Sequence, residues 1–517
     1  MLFTIDSLSM LPPTILLATG AAAIYVVLFL WRLVSSPLRD VPGPLLARFT
    51  DAWYFWKVRR GDFQQQNQQL HKDYGVIVRY GPNRYSLSHP EAAKAIYGHK
   101  TTFPKSRWYS AFGQIHEWTL FSDDDANQHA QNRKQYQSMY SMSSLLTYEP
   151  FVDECISIFR QRLAELANAQ LCTNMGHWMQ CYAFDVIGLM TYSKRIGFLD
   201  RGDDIGGVMG ALEDMVYYSS LAGLVPSLHP YIFRCKNWLA GKKGFGRGYV
   251  IDFTRERVAE KQAKPQVGPV DGMEDTDLPQ KVDFLAKFYS KHIKTPDSFT
   301  AYHVIAGCTH NMIAGSDTTG ITLSACLYYL LKYPQSFAKL RAEVDRLRSD
   351  GRTTREVSFR ESQEMPYLQA VIKETLRLHP ATGLPLERVV PKGGATICDK
   401  FFPEGTIIGV NTWVEHRNPD IWGADADEFK PERWTIDDTD KLSFMNRHWM
   451  PFGMGSRTCL GRHISMLEIS KLIASLVGDF DFELDAGLAG STTKWTTADY
   501  WFVKPKDFMV RVKLREA

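Results

Sequence analysis

The sequence predicts a mainly α-helical protein with small β-sheets, preceded by one N-terminal transmembrane helix. Helical patterns of apolar residues fill 125–193 and 300–380. Residues 76–88 alternate in the manner of a hairpin, and 395–411 adds further strands around a Gly/Pro turn. Thr14 to Leu30 is almost wholly apolar, and a run of that length can cross a bilayer with help from its flanks.

The N-terminal apolar run is interpreted as an anchor rather than as a cleaved signal peptide. No Lys or Arg precedes it, and the apolar residues continue past the small residues 21–23 as far as Trp31. The positive charges follow it, beginning with Arg32 and Arg39, which places the N-terminus in the lumen and the body in the cytosol. The expected organisation is a membrane anchor at 1–34, a Pro/Gly hinge at 35–48 and a folded body at 49–517.

Length, charge and cysteine content narrow the class of protein. A chain of 517 residues with 44% hydrophobic content can bury a large core, and its length alone suggests two or three domains. The formal net charge of +3 gives no support to nucleic acid binding. The eight cysteines include no Cys-x-x-Cys pair, and no Asn-x-Ser/Thr acceptor occurs, which fits a reduced, cytosol-facing body.

One cysteine stands in a glycine-rich loop directly before a helical pattern. In the segment 452–461 (FGMGSRTCLG), Gly453 and Gly455 allow positive φ and the close approach of a flat partner. The N-terminus of the following helix is expected to lower the pKa of the Cys459 thiol below about 8.5, and Arg457 supplies a positive charge for an anionic group. A lone cysteine is more often a small buried apolar residue, but this setting favours a thiolate that binds a metal.

A second segment, Glu374-Thr-Leu-Arg377, lies on a predicted helix that Pro380 ends. Glu374 and Arg377 are three residues apart, so they share one face of the helix and can pair. By itself such a pair is common on protein surfaces and contributes little to stability.

A third segment, 314–319 (AGSDTT), lies in a long apolar stretch from about Ala301 to Lys332 that is predicted to be one helix. Gly315 would leave room for a flat partner, and Thr318 can bend the helix by bonding to the carbonyl four residues earlier. Asp317 is costly in an apolar run unless it has a partner or a function.

Together these three segments resemble the cytochrome P450 family, and the similarity runs from about Val41 to near the end of the chain. The family's heme-binding loop has matching residues at Phe452, Gly455, Arg457, Cys459 and Gly461. The resemblance implies one large, mainly helical domain with the cytochrome P450 fold, in place of two or three domains. It also implies that 49–517 is a heme-thiolate monooxygenase domain that holds heme b through the Cys459 thiolate as the axial ligand of iron.

The resemblance implies a role for each remaining candidate residue. Glu374, Arg377 and Arg433 would form a buried structural triad that locks the core around the heme loop. Asp317 and Thr318 would be the catalytic acid–alcohol pair, which relays protons for the activation of dioxygen. The residues expected to bind the heme, chiefly through its two propionates, are His129, Arg133, Arg388, Phe452, Arg457 and Gly461. Many relatives carry Trp where this chain has His129.

Partners and location follow from the same resemblance. No flavin or nicotinamide site is visible in the sequence, so electrons are expected from NADPH-cytochrome P450 reductase, a separate protein. It is expected to dock on basic residues, namely Arg133, Lys134, Lys441 and Arg447. The other expected partners are O2, a lipophilic small molecule and the endoplasmic reticulum membrane, spanned once, with the catalytic domain facing the cytosol.

The last third of the chain is similar to fungal microsomal members of the pisatin demethylase-like group. The segments 413–419 (WVEHRNP) and 428–434 (EFKPERW) carry much of that similarity. It implies a role in making or detoxifying a lipophilic secondary metabolite. The walls of the substrate pocket are expected at 105–121, 215–235, 307–318, 382–387 and 496–502, with Phe112, Trp118, Phe121 and Trp501 as candidates.

Two alternatives remain open. One is a heme-thiolate isomerase or dehydratase that needs no reductase, against which the Asp317-Thr318 pair argues because such chemistry does not require protonation of dioxygen. The other is a non-catalytic heme protein that binds a ligand or gas. Reductase-dependent NADPH consumption that an organic substrate stimulates would separate an enzyme from a binding protein.

Overall fold

The computed structural model describes residues 36–99, 101, 103–113, 118–241, 246–263, 282–351, 353, 356–484 and 495–515, together with Thr19, Gly20, Ile24, Val27 and Trp31. The predicted anchor at 1–34 therefore lies outside the described residues, apart from those five positions. Among the described residues, no helix is both long and apolar enough to cross a membrane.

Helices make up most of the described chain, as the sequence predicts. In order they are α1 (Ala52–Arg60), α2 (Phe63–Tyr74), α3 (Pro90–Tyr97), α4 (Ala126–Tyr136), α5 (Met142–Leu146), α6 (Glu149–Asn168), α7 (Met175–Tyr192), α8 (Phe198–Arg201), α9 (Val208–Ala222), α10 (His229–Ala240), α11 (Arg247–Ala263), α12 (Phe284–Lys294), α13 (Ala301–Gly315), α14 (Asp317–Lys332), α15 (Pro334–Ser349), α16 (Phe359–Gln363), α17 (Pro366–Leu378), α18 (Thr412–Glu415), α19 (Pro419–Trp422), α20 (Thr439–His448) and α21 (Arg462–Asp479).

The strands form small sheets. They are β1 (Ile77–Gly81), β2 (Arg84–Leu87), β3 (Cys172–Asn174), β4 (Arg388–Val389), β5 (Ala395–Ile397), β6 (Lys400–Phe402), β7 (Ile407–Gly409), β8 (Phe480–Leu484), β9 (Thr497–Tyr500), β10 (Phe502–Pro505) and β11 (Met509–Leu514). One sheet has the order β1-β2-β7-β4 and another β3-β11-β8, while β5-β6 and β9-β10 are two-stranded. Only β2 and β7 pair in parallel within this set.

The strand predictions are confirmed. β1 and β2 form the hairpin expected at 76–88, with Ile77 opposite Leu87. The region 395–411 contains β5, β6 and β7, and β9 and β10 form a hairpin near the C-terminus. Trp501 stands at the tip of that hairpin with φ of +87°, a left-handed conformation that is costly for a bulky residue.

The core is built around α7, α14 and α21. In α7, 14 of 18 residues are buried, as expected of a helix that other helices enclose on all sides. α14 packs against α7, α17 and α21. Thr319 Oγ1 lies 3.1 Å from Ser465 Oγ, which ties the first turn of α14 to the first turn of α21. The acid–alcohol segment and the helix that follows the cysteine loop are therefore neighbours.

The long helix predicted from Ala301 to Lys332 is two helices, which corrects the sequence-based expectation. α13 ends at Gly315 and α14 begins at Asp317. On either side of the break, Ser316 Oγ donates to the Met312 carbonyl at 2.8 Å and Thr318 Oγ1 donates to the Ala314 carbonyl at 2.7 Å. Hydroxyls that occupy helical carbonyls in this way bend a helix, and here they accompany its interruption.

Candidate active site

The cysteine loop is closed by its own backbone hydrogen bonds. The N–H of Cys459 donates to the Phe452 carbonyl at 2.8 Å, and the N–H of Thr458 donates to the Gly455 carbonyl at 3.2 Å. A short 3-10 helix spans Gly455–Arg457, and α21 begins at Arg462 directly after the loop. This arrangement fixes the backbone of Cys459 while its side chain keeps exposed surface.

Both glycines at the start of the loop have the positive φ that the sequence predicts. Gly453 has φ of +69° and Gly455 has φ of +63°. Gly455 is required for a second reason, because a Cβ there would lie 1.9 Å from the carbonyl oxygen of Tyr97 at the end of α3. The group that approaches Gly455 most closely is thus the Tyr97 backbone of the same chain.

The pKa of the Cys459 thiol is raised, not lowered, so that expectation from the sequence is wrong for the chain by itself. Protein atoms crowd the sulfur even though the side chain keeps some exposed surface, and burial is the largest cause of the raised pKa. The N–H groups of Gly461 and Arg462 and the charges of Arg133 and Arg462 act in the lowering direction without outweighing it. A further positive charge at the sulfur, such as a metal ion, would favour the thiolate.

Three basic side chains lie beside this loop and form a cluster with Arg457, which is part of it. We call this group the basic cluster: Lys105, His129, Arg388 and Arg457. Burial and then the charges of Arg388 and Arg457 hold the pKa of Lys105 well below its usual value. Burial, the Arg388 charge and that of Arg133 lower the pKa of Arg457 to about 10, against the opposing effect of Asp123. These side chains are therefore close enough to disfavour one another's charge.

His129 lies within the reach of all these charges. Burial lowers its pKa to about 3, and the charges of Arg457, Lys105, Arg133 and Arg388 add to that effect. Its side chain is buried at 3% exposure, and the imidazole is neutral at physiological pH. Arg133, one turn later on α4, also lies near Cys459. Burial lowers the pKa of Arg133, and the charge of Cys459 acts to raise it.

Other contacts anchor the basic cluster. Arg457 Nη1 donates to the Asp123 carbonyl at 2.7 Å, which joins the cysteine loop to the turn before α4. The Arg388 guanidinium lies 5.0 Å from the centre of the Tyr97 ring, and an isolated β-bridge pairs Lys105 with Arg388. Lys105 is a site residue that sequence reasoning missed, because a lysine after Phe-Pro in an irregular segment carries no distinguishing signal.

The donor set fits a heme. A heme has two carboxylates, and the basic cluster offers guanidinium, ammonium and imidazole groups that disfavour one another until an anion joins them. A thiol with exposed surface, that of Cys459, lies in the adjoining loop and would bind the heme iron as a thiolate. Phe452 and Gly461 take part through the loop: Phe452 accepts the Cys459 N–H, and Gly461 precedes α21.

Glu374, Arg377 and Arg433 meet in a buried network. Arg377 binds Glu374 through two hydrogen bonds, from Nε at 2.9 Å and from Nη2 at 2.8 Å, and Arg433 Nε lies 3.4 Å from Glu374 Oε1. The Trp434 indole and the Lys430 N–H each donate to Glu374 at 3.0 Å. Arg433 also pairs with Asp425 at 2.9 Å, and both guanidinium groups donate to backbone carbonyls, so every charge in this network is compensated within the chain.

The structure holds Asp317 in an ion pair. Its Oδ2 lies 2.9 Å from Lys504 Nζ on β10, and its Oδ1 accepts from Gln180 Nε2 on α7 at 2.5 Å. Lys504 also pairs with Glu213 on α9 at 3.2 Å. The adjacent Thr318 directs its hydroxyl to the Ala314 carbonyl, so the two members of the predicted acid–alcohol pair have different partners.

Gly315 has another role than the one expected from the sequence. A Cβ there would lie 2.9 Å from Ile187 Cγ1 on α7, so the missing side chain allows α13 and α7 to pack closely. Ala314, one residue earlier, has an exposed side chain, and the Thr318 hydroxyl is exposed as well. At this point, therefore, Ala314 lies on the exposed face of α13, and Gly315 lies on the face that packs against α7.

Comparison with known proteins decides the family. Residues 43–507 match the family model described as Cytochrome P450. The chain belongs to the cytochrome P450 family. It is similar to a pisatin demethylase of Fusarium vanettenii, with 37% identity over 481 residues, 92% of this chain and 89% of the relative.

Two further relatives carry the name of the enzyme class. A cytochrome P450 monooxygenase of Aspergillus terreus is 37% identical over 468 residues, 89% of this chain and 94% of the relative. The cytochrome P450 monooxygenase cicH of Emericella nidulans is 35% identical over 503 residues, 95% of this chain and 97% of the relative. The protein is therefore an enzyme, a cytochrome P450 monooxygenase.

In this P450, three of the four aromatic candidates for the pocket lie together. Phe112, Phe121 and Trp501 have ring centroids 5.3 to 6.1 Å apart, and Trp108 and Tyr109 join them. Trp118 lies elsewhere, 5.3 Å from the Tyr302 ring and 5.0 Å from that of His303 on α13.

The basic residues expected to bind the reductase differ in exposure. Lys134, Lys441 and Arg447 are exposed, whereas Arg133 is half-buried near Cys459. Arg462, which sequence reasoning did not single out, is exposed and lies close enough to affect the Cys459 thiol. The exposed cations are thus the ones available to a docking protein.

Proposed function

We propose that this cytochrome P450 binds heme b through Cys459 and inserts one oxygen atom from O2 into a lipophilic organic substrate, with electrons from NADPH through a separate reductase. The observation that carries the proposal is the juxtaposition of a fixed cysteine and the basic cluster. Bound heme would supply the redox chemistry that activates O2. The chain's own residues hold the group, exclude water and move protons.

The heme-binding residues divide into two sets by function. Cys459 would donate its thiolate to iron, and the closed loop keeps its backbone in place. Arg388, Arg457, His129 and Lys105 would bind the propionates, and the anions would remove the mutual repulsion that lowers the pKa of Lys105 and Arg457. The Glu374 network is proposed to support the loop without taking part in chemistry.

Asp317 and Thr318 are proposed to deliver protons at the open face of α13. The ion pair with Lys504 and the bond from Gln180 hold the Asp317 carboxylate away from the Thr318 hydroxyl, which donates to Ala314 instead. Delivery would therefore need rotation of Thr318 about χ1 or a connecting water. Lys504, which also binds Glu213, offers a charged route from the surface to Asp317.

The substrate is proposed to be aromatic or polycyclic and to bind among Phe112, Phe121 and Trp501. We propose that it is a lipophilic secondary metabolite, and the name of one relative, a pisatin demethylase, supports a small organic molecule as the substrate. We further propose that 1–34 anchors the protein in the endoplasmic reticulum membrane. Leu45 and Leu46, which lie within the hinge, are exposed at 70% and 62%, and such a pair of adjacent exposed leucines is suited to contact with lipid.

The decisive experiment is the absorbance spectrum of the reduced protein under carbon monoxide, with two cysteine variants. Wild type and Cys398→Ser should show the strongly red-shifted Soret band of thiolate-ligated heme, because Cys398 is a half-buried cysteine of another region. Cys459→Ser should lose that band. A red-shifted band in Cys459→Ser, or its absence in folded wild type, would overturn the proposal.

A further inference from the structure

A cavity of about 220 Å³ lies between α11 and α13, apart from the heme-binding residues. Its walls include Ile251, Ile305 and Ala306, and its mouth is formed by Ala301 and Arg255, both exposed. The inner part is lined by buried polar side chains. An apolar cavity with a few polar groups at one end is the usual form of a small-molecule site.

The hydroxyl of Thr309 is one of these inner groups, and it differs from four hydroxyls that lie at the break between α13 and α14 and on α14. Ser316, Thr318, Thr322 and Ser324 each donate to the carbonyl four residues earlier, at 2.7 to 2.9 Å. Thr309 does not: its Oγ1 is buried without a hydrogen-bond partner among the described residues, and Thr309 lines the cavity at 1% exposure. A buried hydroxyl without a partner costs free energy that a bound ligand can return.

Arg247 is the second inner group. It is the first residue of α11 and is only 6% exposed, and Gly246 before it has φ of +53°. A Cβ on Gly246 would lie 3.2 Å from Met215, so the backbone at the start of α11 lies close against α9.

His310, beside Thr309, lies within reach of the same guanidinium. Burial and then the Arg247 charge lower the pKa of His310 to about 3, so the imidazole is neutral. Within the part of the chain that the structure describes, neither ring nitrogen of His310 has a hydrogen-bond partner. Arg247 and Thr309 thus place N–H and O–H donors next to apolar walls, with His310 near Arg247.

We propose that this cavity binds a small aromatic carboxylic acid, with Arg247 and Thr309 donating to the carboxylate and Ile251 and Ile305 packing on the ring. A guanidinium and a hydroxyl suit the oxygens of a carboxylate. Arg255 at the mouth is paired with Asp252 at 3.0 Å, so Arg247 is the cation that would attract the acid. The acid is either the substrate itself or a separate effector. The proposal that the acid is the substrate rests on the proposed function, whereas the proposal that it is an effector does not.

The test is calorimetric titration of the intact holoprotein with 2-naphthoate and with the neutral 2-naphthamide as probes. Wild type should bind the acid more tightly than the amide. Arg247→Gln should weaken binding of the acid about tenfold or more, the usual effect of losing a charge-assisted hydrogen bond, and Thr309→Val severalfold. Arg257→Gln is the matched control, because Arg257 is also on α11 but pairs with Glu260 at 2.9 Å; it should bind as wild type does.

The heme spectrum, recorded in the same titration, separates the two sources. A change in the Soret band at the calorimetric midpoint identifies the acid as a substrate-type ligand, and binding without such a change identifies an effector site; both support the proposal. Equal affinity for acid and amide, wild-type affinity in Arg247→Gln and Thr309→Val, or no binding by wild type would overturn it. The carbon monoxide spectrum of each variant reports independently on heme ligation.

Discussion

The two groups of buried charges in this enzyme are built on opposite plans. In the Glu374 network, Glu374 and Arg377 are fully buried and each finds its partners within the chain. In the basic cluster, the positive charges of Arg388 and its neighbours help to lower the pKa values of Lys105 and Arg457. Few acidic groups lie near enough to counter this effect. A network that is complete without a ligand serves the fold, whereas one that needs anions is prepared for a cofactor.

The largest effect is expected where the complete network is broken. Glu374→Ala leaves the buried Arg377 guanidinium without a carboxylate partner and leaves Arg433 with Asp425 alone, which should lower the free energy of unfolding by about 3–5 kcal/mol. The measurement is denaturant unfolding of the holoprotein. Glu165→Ala is the control, because it removes the same i,i+3 type of pair with Arg162 at 2.7 Å on an exposed surface; about 0.5 kcal/mol is expected there. Equal losses in the two variants would contradict the comparison.

Asp499 is a buried carboxyl that, unlike Glu374, pairs with no cation among the described residues. Asp499 is fully buried and accepts from the N–H groups of Gln64 at 3.1 Å and Trp501 at 3.2 Å, and burial raises its pKa to about 7. Its folded pKa therefore exceeds the unfolded value near 4, so the folded state binds more protons between these values. Stability should be present at low pH and be lost as the pH rises through that window.

The size of this effect follows from the shift, about three pKa units or roughly 4 kcal/mol at most. Denaturant unfolding of wild type and Asp499→Asn at pH 5 and pH 8 measures it, and the difference between the two proteins should decrease or change sign as the pH rises. Asp437→Asn, at an exposed position, is the control. A constant difference between wild type and Asp499→Asn across this range would show that Asp499 does not titrate there.

The incomplete network is tested by heme retention. Arg388→Gln removes one propionate donor and should speed transfer of heme to apomyoglobin by about tenfold, equivalent to about 1.4 kcal/mol. The chain itself should not lose stability, because the substitution relieves repulsion at Lys105 and Arg457. Lys392→Gln, an exposed lysine in the same region, is the control. Loss of chain stability with unchanged heme transfer would place Arg388 among the structural charges.

The sequence predicted those parts of the molecule that depend on local pattern. The positive φ of Gly453 and Gly455, the β1–β2 hairpin and the helical character all follow from residue type and periodicity. The family was recognisable because three short segments each combine special residues at fixed spacing.

What the sequence could not supply depends on tertiary packing. Lys105 is brought to Arg388 by a β-bridge between distant segments, and Gly315 faces Ile187 because two helices happen to cross there. The pKa of Cys459 depends on how many atoms surround the sulfur, a quantity that no local pattern contains. The ion pair of Asp317 with Lys504 joins residues nearly two hundred positions apart.

The smallest effect is expected at the acid–alcohol pair, Asp317 and Thr318, which belongs to neither of the two groups of buried charges. Thr318→Ala removes the hydroxyl that donates to the Ala314 carbonyl, and the heme spectrum should be unchanged because Thr318 belongs to neither charged network. With a substrate that stimulates NADPH consumption, peroxide released per NADPH should rise about threefold to tenfold, since protons would reach dioxygen less efficiently. Thr322→Ala removes an equivalent hydroxyl one turn later, which donates to Thr318 at 2.9 Å, and should leave coupling unchanged. Full coupling in Thr318→Ala would mean that protons travel by another route, for which the Lys504 side of Asp317 is the next candidate.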